Sequence, residues 1–231
     1  MAADEAAVIA INVAKPALLG SGLTTANSDG AWFSALYKAP VEGPIWLGEL
    51  NLAGDGQADL KSHGGPDRAV CVYPFEHYSF WCSELGLQGL DRPAFGENFT
   101  TVGLDEDAVC IGDTFTIGAA VLQVTQPRLP CWKLARRFAV KDMAVRLRVT
   151  GRVGWHLRTL QPGLVEPGQS LHLVERHNPK WTIAKALSVI INSRSDRKSA
   201  LELAGCLHLS AYQRRALGNP DSVPARREVE D

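Results

Sequence analysis

The strongest constraint on this chain is the stretch from Ala108 to Thr125. Val109-Cys110-Ile111, Thr114-Phe115-Thr116-Ile117 and Ala120-Val121-Leu122-Gln123-Val124 are short runs broken only by Gly112-Asp113 and Gly118-Ala119. Breaks this short leave no room for a crossover helix, so the runs predict a meander of antiparallel strands. Further strands are predicted over Ala7–Val13, Pro44–Leu52, Ala69–Tyr73, Gly151–Leu160 and Leu171–Glu175. A helix is predicted between Pro74, which suits a first turn, and Gly86, which suits a stop; shorter helical spacings cover Lys133–Arg137 and Asp142–Thr150. Residues 16–43 are rich in Gly, Ser, Thr and Pro and are predicted to be a long loop with an apolar patch at Trp32–Tyr37. Many short strands with glycine turns and few helices give a mostly β fold: an antiparallel β-barrel with inserted helices, not a βαβ sheet.

After Pro179 the pattern changes. Thr182, Asp196 and Ser210 each precede a short helical run, and Gly205 and Gly218 end two of them. The expected organisation is a barrel over residues 1–178, with its core at about 44–175, then a small three-helix bundle over 179–219 and a charged tail over 220–231.

Composition matters here for what it excludes. With 45% hydrophobic residues in 231, the chain can bury a core and is not a disordered segment. A net charge of -1 gives no global attraction to nucleic acid or anionic membrane, so any anion site must be local. No apolar run approaches the roughly 20 residues of a membrane span, and the acidic Met1–Glu5 start has no basic region of a signal peptide. The five cysteines are scattered with no CxxC pair, which suits free thiols in a reducing cytoplasm.

Four of those cysteines sit among apolar neighbours and read as core packing. Cys131 differs. It lies in Gln126-Pro127-Arg128-Leu129-Pro130-Cys131-Trp132-Lys133-Leu134, with Arg128, Lys133, Arg136 and Arg137 close in sequence. Nearby positive charge favours a thiolate, which is both a nucleophile and a soft metal ligand. A second candidate element is Lys61-Ser62-His63-Gly64-Gly65-Pro66-Asp67-Arg68. Here Gly64 and Gly65 let the backbone approach a ligand, and Lys61, His63 and Arg68 offer donors to an anion. The plainer alternative is a tight turn with solvated charges. In Phe95-Gly96-Glu97-Asn98, Asn98 offers a paired donor and acceptor for a heterocycle, or else satisfies its own turn. Tyr78 and Trp81 read as packing residues, and His77 as a surface or core histidine outside the site.

These motifs together, with Ile111-Gly112-Asp113 and Gly151-Arg152-Val153-Gly154-Trp155, resemble the MOSC domain family, named for the C-terminal domain of molybdenum cofactor sulfurases. The resemblance runs from about residue 44 to about 218 and is nearest to the YiiM-like branch, which adds a three-helix module. It implies a β-barrel holding the molybdenum cofactor, with Cys131 as the protein ligand of the metal. It further implies that Lys61, Arg68, Arg128 and Lys133 serve the cofactor phosphate, with His63, Gly64 and Gly65 beside them. Asn98 would meet the pterin, and Arg152 and Trp155 would line the rim. The implied activity is reduction of N-hydroxylated compounds such as hydroxylaminopurines, with a separate reductase as electron donor, since the chain has no cysteine cluster for an iron–sulfur centre. Pyridoxal phosphate binding is implied only at family level, and no lysine has a recognisable Schiff-base context. Two alternatives stay open: a sulfur carrier or sulfurtransferase using a Cys131 persulfide, and a non-catalytic cofactor carrier. Neither nucleic acid nor membrane is expected as a partner; an oligomer is compatible with the sequence.

Overall fold

A computed structural model describes residues 6–19 and 31–219. The readings of Met1–Glu5, of residues 20–30 within the expected loop, and of the 220–231 tail lie outside the described residues.

The strands are β1 (Ala7–Val13), β2 (Ala17–Leu19), β3 (Trp32–Ser34), β4 (Ala39–Pro40), β5 (Ile45–Leu47), β6 (Val70–Pro74), β7 (Phe99–Val102), β8 (Thr114–Ile117), β9 (Ala120–Pro127), β10 (Trp155–Gln161), β11 (Gly163–Val165) and β12 (His172–Glu175). The helices are α1 (Leu60–His63), α2 (Glu76–Leu85), α3 (Lys133–Phe138), α4 (Met143–Thr150), α5 (Ile183–Ile191), α6 (Arg197–Ala204) and α7 (Ala211–Gly218). Eight strands form one sheet in the order β12-β8-β9-β10-β6-β7-β1-β4. The sheet curls into a half-barrel until Val8 N–H donates to Gln169 O at 3.0 Å and Leu171 N–H to Ala6 O at 2.6 Å, just ahead of β12. The fold is thus the expected β architecture with inserted helices.

Three local expectations need correction. The sheet is not wholly antiparallel, because β6 and β7 pair in parallel, with α2 supplying the crossover. The 16–43 region carries β2, β3 and β4; its polar composition hid strands of two or three residues. Val109–Ile111 is a turn with a single bridge from Cys110 to Thr182, so the meander has two limbs instead of three.

Alternation along the strands splits the core in two, because successive side chains point to opposite faces. Val70, Val72, Trp155 and Leu157 join one buried cluster, whereas Tyr73 joins another with Tyr78, Trp81, Phe95 and Leu134. The C-terminal helices add Ile183, Ala186, Ala200, Leu203 and Leu217 to the first cluster. Their caps are as expected: Thr182, Asp196 and Ser210 accept from the N–H groups of Lys185, Ser199 and Gln213. Among the described residues no helix is long and apolar enough to cross a membrane.

Candidate functional site

Cys131 occupies the loop between β9 and α3. Pro127 ends β9, and Pro130 has no N–H to extend a ladder, so the chain must turn there. The turn is pinned at both ends. Arg128 N–H donates to Gly154 O at 3.0 Å, and Leu134 N–H donates to Cys131 O at 3.2 Å. Gly154 has φ of 73°, and a Cβ there would fall 2.1 Å from Val72 O, so only glycine lets β10 start this close to β6. This gives the Gly151–Trp155 motif a structural basis: it positions the cysteine loop.

Arg128 is buried and donates through Nη2 to Phe95 O at 2.6 Å. Burial alone would lower its proton affinity, but the thiols of Cys71 and Cys131 and the Glu97 carboxylate outweigh this and hold it raised. A permanent cation therefore sits inside the protein beside two sulfurs. The Cys71 thiol is pushed up by burial, only partly opposed by Arg128, so it keeps its proton at neutral pH. Cys131 is half-buried.

A buried polar network braces this corner. Glu97 accepts from Phe95 N–H at 3.0 Å, from Thr100 Oγ1 at 3.1 Å and from the Tyr78 hydroxyl. Burial and Glu97 push the Tyr78 hydroxyl far up, so it stays a donor. Asp55, also buried, pairs with Lys38 and accepts from Ala14 N–H at 2.9 Å. Asn98 ties the two carboxylate regions together. Its Nδ2 donates to Asp55 Oδ2 at 2.8 Å and Asn12 O at 3.1 Å, and its Oδ1 accepts from Cys71 N–H at 3.0 Å. The expected pairing of Asn98 with a heterocycle is therefore corrected, because its amide already bonds protein groups at both ends. Trp155 is corrected as well: at 2% exposure it is part of the core and lines no rim.

The remaining candidates fall into two places. Lys133 starts α3 two residues after Cys131, its Nζ donating to Phe33 O at 2.9 Å. Arg152 holds its guanidinium 4.0 Å over the Phe80 ring, and its carbonyl accepts from the Tyr73 hydroxyl at 3.0 Å. The other group leads into the start of β6. Lys61 is exposed on α1, His63 is half-buried, and Gly64 and Gly65 follow, with Gly65 at φ of 97°. A Cβ on Gly64 would come within 2.8 Å of Leu60 O, so that turn also demands glycine. Arg68 is buried with its guanidinium 5.2 Å over the Tyr212 ring of α7. The ladder sets the start of β6, Val70, level with Leu157 and Val124, whereas Val72 is level with Trp155 and Pro127. The His63–Arg68 loop thus enters one end of β6, and the Cys131 loop leaves the sheet toward the other.

Sequence reasoning missed Lys38, Asp55, Glu97 and Cys71 as one buried group, of which Cys71 and Glu97 share Arg128 with Cys131. The signal for Cys71 was present: it alternates with Val70 and Val72, so it had to face away from their core. Lys38 and Asp55 meet only through the fold.

The donor set suits a metal that arrives already held by an organic ligand. Among the described residues no three His, Cys, Asp or Glu side chains are grouped to hold a bare ion. One accessible cysteine sulfur beside a buried cation is what a soft, anionic metal–dithiolene group needs from a protein. The residues present therefore fit a molybdenum–pterin cofactor, with Cys131 as the donor and Arg128 as the neighbouring charge.

Comparison with known proteins shows what the whole chain is similar to. The family model for the MOSC domain matches residues 59–172. The chain is 45% identical over 177 residues to the uncharacterized protein YflK of Bacillus subtilis, covering 76% of each. It is 37% identical over 179 residues to a protein named Reductase from Gibberella moniliformis, covering 76% of this chain but 31% of that longer one. The crystal structure of YiiM from Geobacillus stearothermophilus superposes with a TM-score of 0.75 at 33% identity, covering 92% of this chain and 97% of that one.

Proposed function

The chain belongs to the MOSC domain family, and on that premise we propose that it is a molybdenum-cofactor-dependent oxidoreductase that reduces N-hydroxylated compounds, hydroxylaminopurines among them, to amines. Family membership supports a molybdenum-cofactor-related function in general. The observation that carries the finer reading is the half-buried Cys131 thiol beside the buried Arg128 guanidinium. When bound, the cofactor supplies the two-electron chemistry by which an N–OH group, two electrons and two protons become N–H and water.

The chain's own residues prepare the place. Cys131 supplies a sulfur donor on a loop fixed by Gly154 O and by α3. Arg128 provides a positive charge that needs no reorganisation, since Phe95 O and the Glu97 network hold it in place. Lys133, two residues after Cys131, adds a second cation, held by Phe33 O and 5.9 Å from the centre of the Trp132 ring. Cys71 holds its proton at Sγ and so adds no competing anion. Electrons come from a separate donor protein in this reading. The longer relative named Reductase supports the idea that chains of this kind work beside further protein. Five free thiols support a reducing compartment as the setting for this reading.

Metal analysis tests the reading. Protein purified from a host able to make the cofactor should carry molybdenum and pterin near one per chain, and Cys131→Ala should lose both. A metal-free protein with a cyanide-releasable sulfur on Cys131 would replace the reductase with a persulfide carrier.

A further inference from the structure

The residue after Cys131 is Trp132, and its indole is 40% exposed. Its neighbours on the same turn do otherwise: Leu134 is buried and Leu129 packs against the second core cluster. An indole left outside forgoes a large burial gain, so its position asks for an explanation. Trp32 stands 5.7 Å from it at 56°, and Tyr37 stands 6.3 Å from Trp32. These rings are tilted and do not cover each other as a stack would. The Arg136 guanidinium lies 4.8 Å from the centre of Trp132, and the Lys133 ammonium lies 5.9 Å from it. A cation-flanked aromatic surface thus begins one residue from the thiol.

Such a surface discriminates by shape. Flat heterocycles stack on indoles whatever their substituents, because every one of them presents a π-face, and guanidinium groups add to that attraction. An aliphatic chain gains much less. Trp46 on β5 is exposed to 52% and serves as a contrast, since it lies on the β5–β11 ribbon and not beside Cys131.

We propose that Trp132, supported by Trp32 and Arg136, is the specificity-determining shelf of the Cys131 site. It stacks the planar heteroaromatic part of the substrate and sorts ring-borne N–OH groups from aliphatic ones. This inference rests on the reading of Cys131 as the reductase site.

The test uses the full chain as purified, with Trp132→Ala, Trp132→Phe and Trp46→Ala. Two readouts are taken: KM and kcat for a hydroxylaminopurine and for an aliphatic hydroxylamine, and calorimetric binding of adenine. Trp132→Ala should raise KM for the purine by about tenfold, with kcat changed by less than about twofold. Its KM for the aliphatic compound should not move. Trp132→Phe should recover most of the purine affinity, and Trp46→Ala should match the unaltered chain. Equal KM changes for both substrates, or adenine binding unaffected by Trp132→Ala, overturns the shelf. The two readings fail separately. A chain without molybdenum that still loses adenine binding in Trp132→Ala keeps the shelf and sinks the reductase. A molybdenum-loaded chain indifferent to Trp132 does the reverse.

Discussion

Asn98 and Arg128 differ in role although both are buried. Asn98 satisfies three protein partners at once, so Asn98→Ala leaves Cys71 N–H, Asn12 O and Asp55 Oδ2 short of a bond. That should cost about 3 kcal/mol in denaturant unfolding, while molybdenum per folded chain stays unchanged. A variant that loses metal but little stability would return Asn98 to the cofactor. Arg128→Ala should behave oppositely in its second readout. It removes the buried cation that faces Cys131 and Glu97, so metal content should fall sharply along with a stability loss of about 3 kcal/mol. Arg128→Lys keeps a charge but loses the fork that reaches Phe95 O, and should retain an intermediate metal load. At this scale the thiol and its cation were legible, because both belong to one short motif. The roles of Asn98 and Trp155 were not. A side chain's partners depend on which strands pair, and Trp155 meets Val72 and Pro127 only through the ladder.

The elements show a second division of labour. The Gly64-Gly65 turn looked like an anion grip in sequence, yet its following residues grip the C-terminal helices. Asp67 Oδ2 accepts from Ala211 N–H at 2.9 Å, capping the first turn of α7, and Oδ1 pairs with Arg158 at 2.9 Å. Both Asp67 and Arg158 are partly exposed, which tempers the ion pair, so most of the effect belongs to the cap. Asp67→Ala should destabilise by about 1–2 kcal/mol. Amide exchange should quicken at the first turn of α7, and molybdenum content should not change. Loss of metal without faster exchange would mean that this loop serves the cofactor after all. The caps Thr182, Asp196 and Ser210 were legible because capping is a local property of three or four residues. The parallel β6–β7 pair was not, since parallel pairing is decided by where α2 packs and leaves no local mark in either strand. Val109–Ile111 misled for a related reason: an apolar run in a buried turn has a strand's composition without its neighbours.

At the scale of the molecule, the barrel and the helices meet at a pair of histidines. His177, just past β12, stacks on His208 in the α6–α7 loop, with centroids 4.1 Å apart and planes at 9°. Around His208 are Asn178, whose amide is 3.1 Å from Nδ1, and Arg158, which donates to the His208 carbonyl at 3.0 Å. Glu175 pairs with His177 at 3.1 Å. Gly112 closes the contact, since a Cβ there would lie 2.9 Å from His208 Cβ. Burial lowers the pKa of His208, and the charges of His177 and Arg158 lower it further, with Glu175 opposing. The folded chain therefore resists a proton that the unfolded chain accepts once pH drops below about 6.5. Stability from this contact is fully present above that value and is lost as pH falls through the depressed folded pKa. Tm should consequently fall between about pH 7.5 and about pH 5.5, and His208→Gln, which has no such proton to exclude, should fall less. Other groups titrate in both proteins, so the difference between the two slopes is the quantity to read. Parallel slopes would remove the histidine pair from the account of how the helices stay on the barrel, and leave that task to the apolar contacts of Ile183, Ala186 and Leu203.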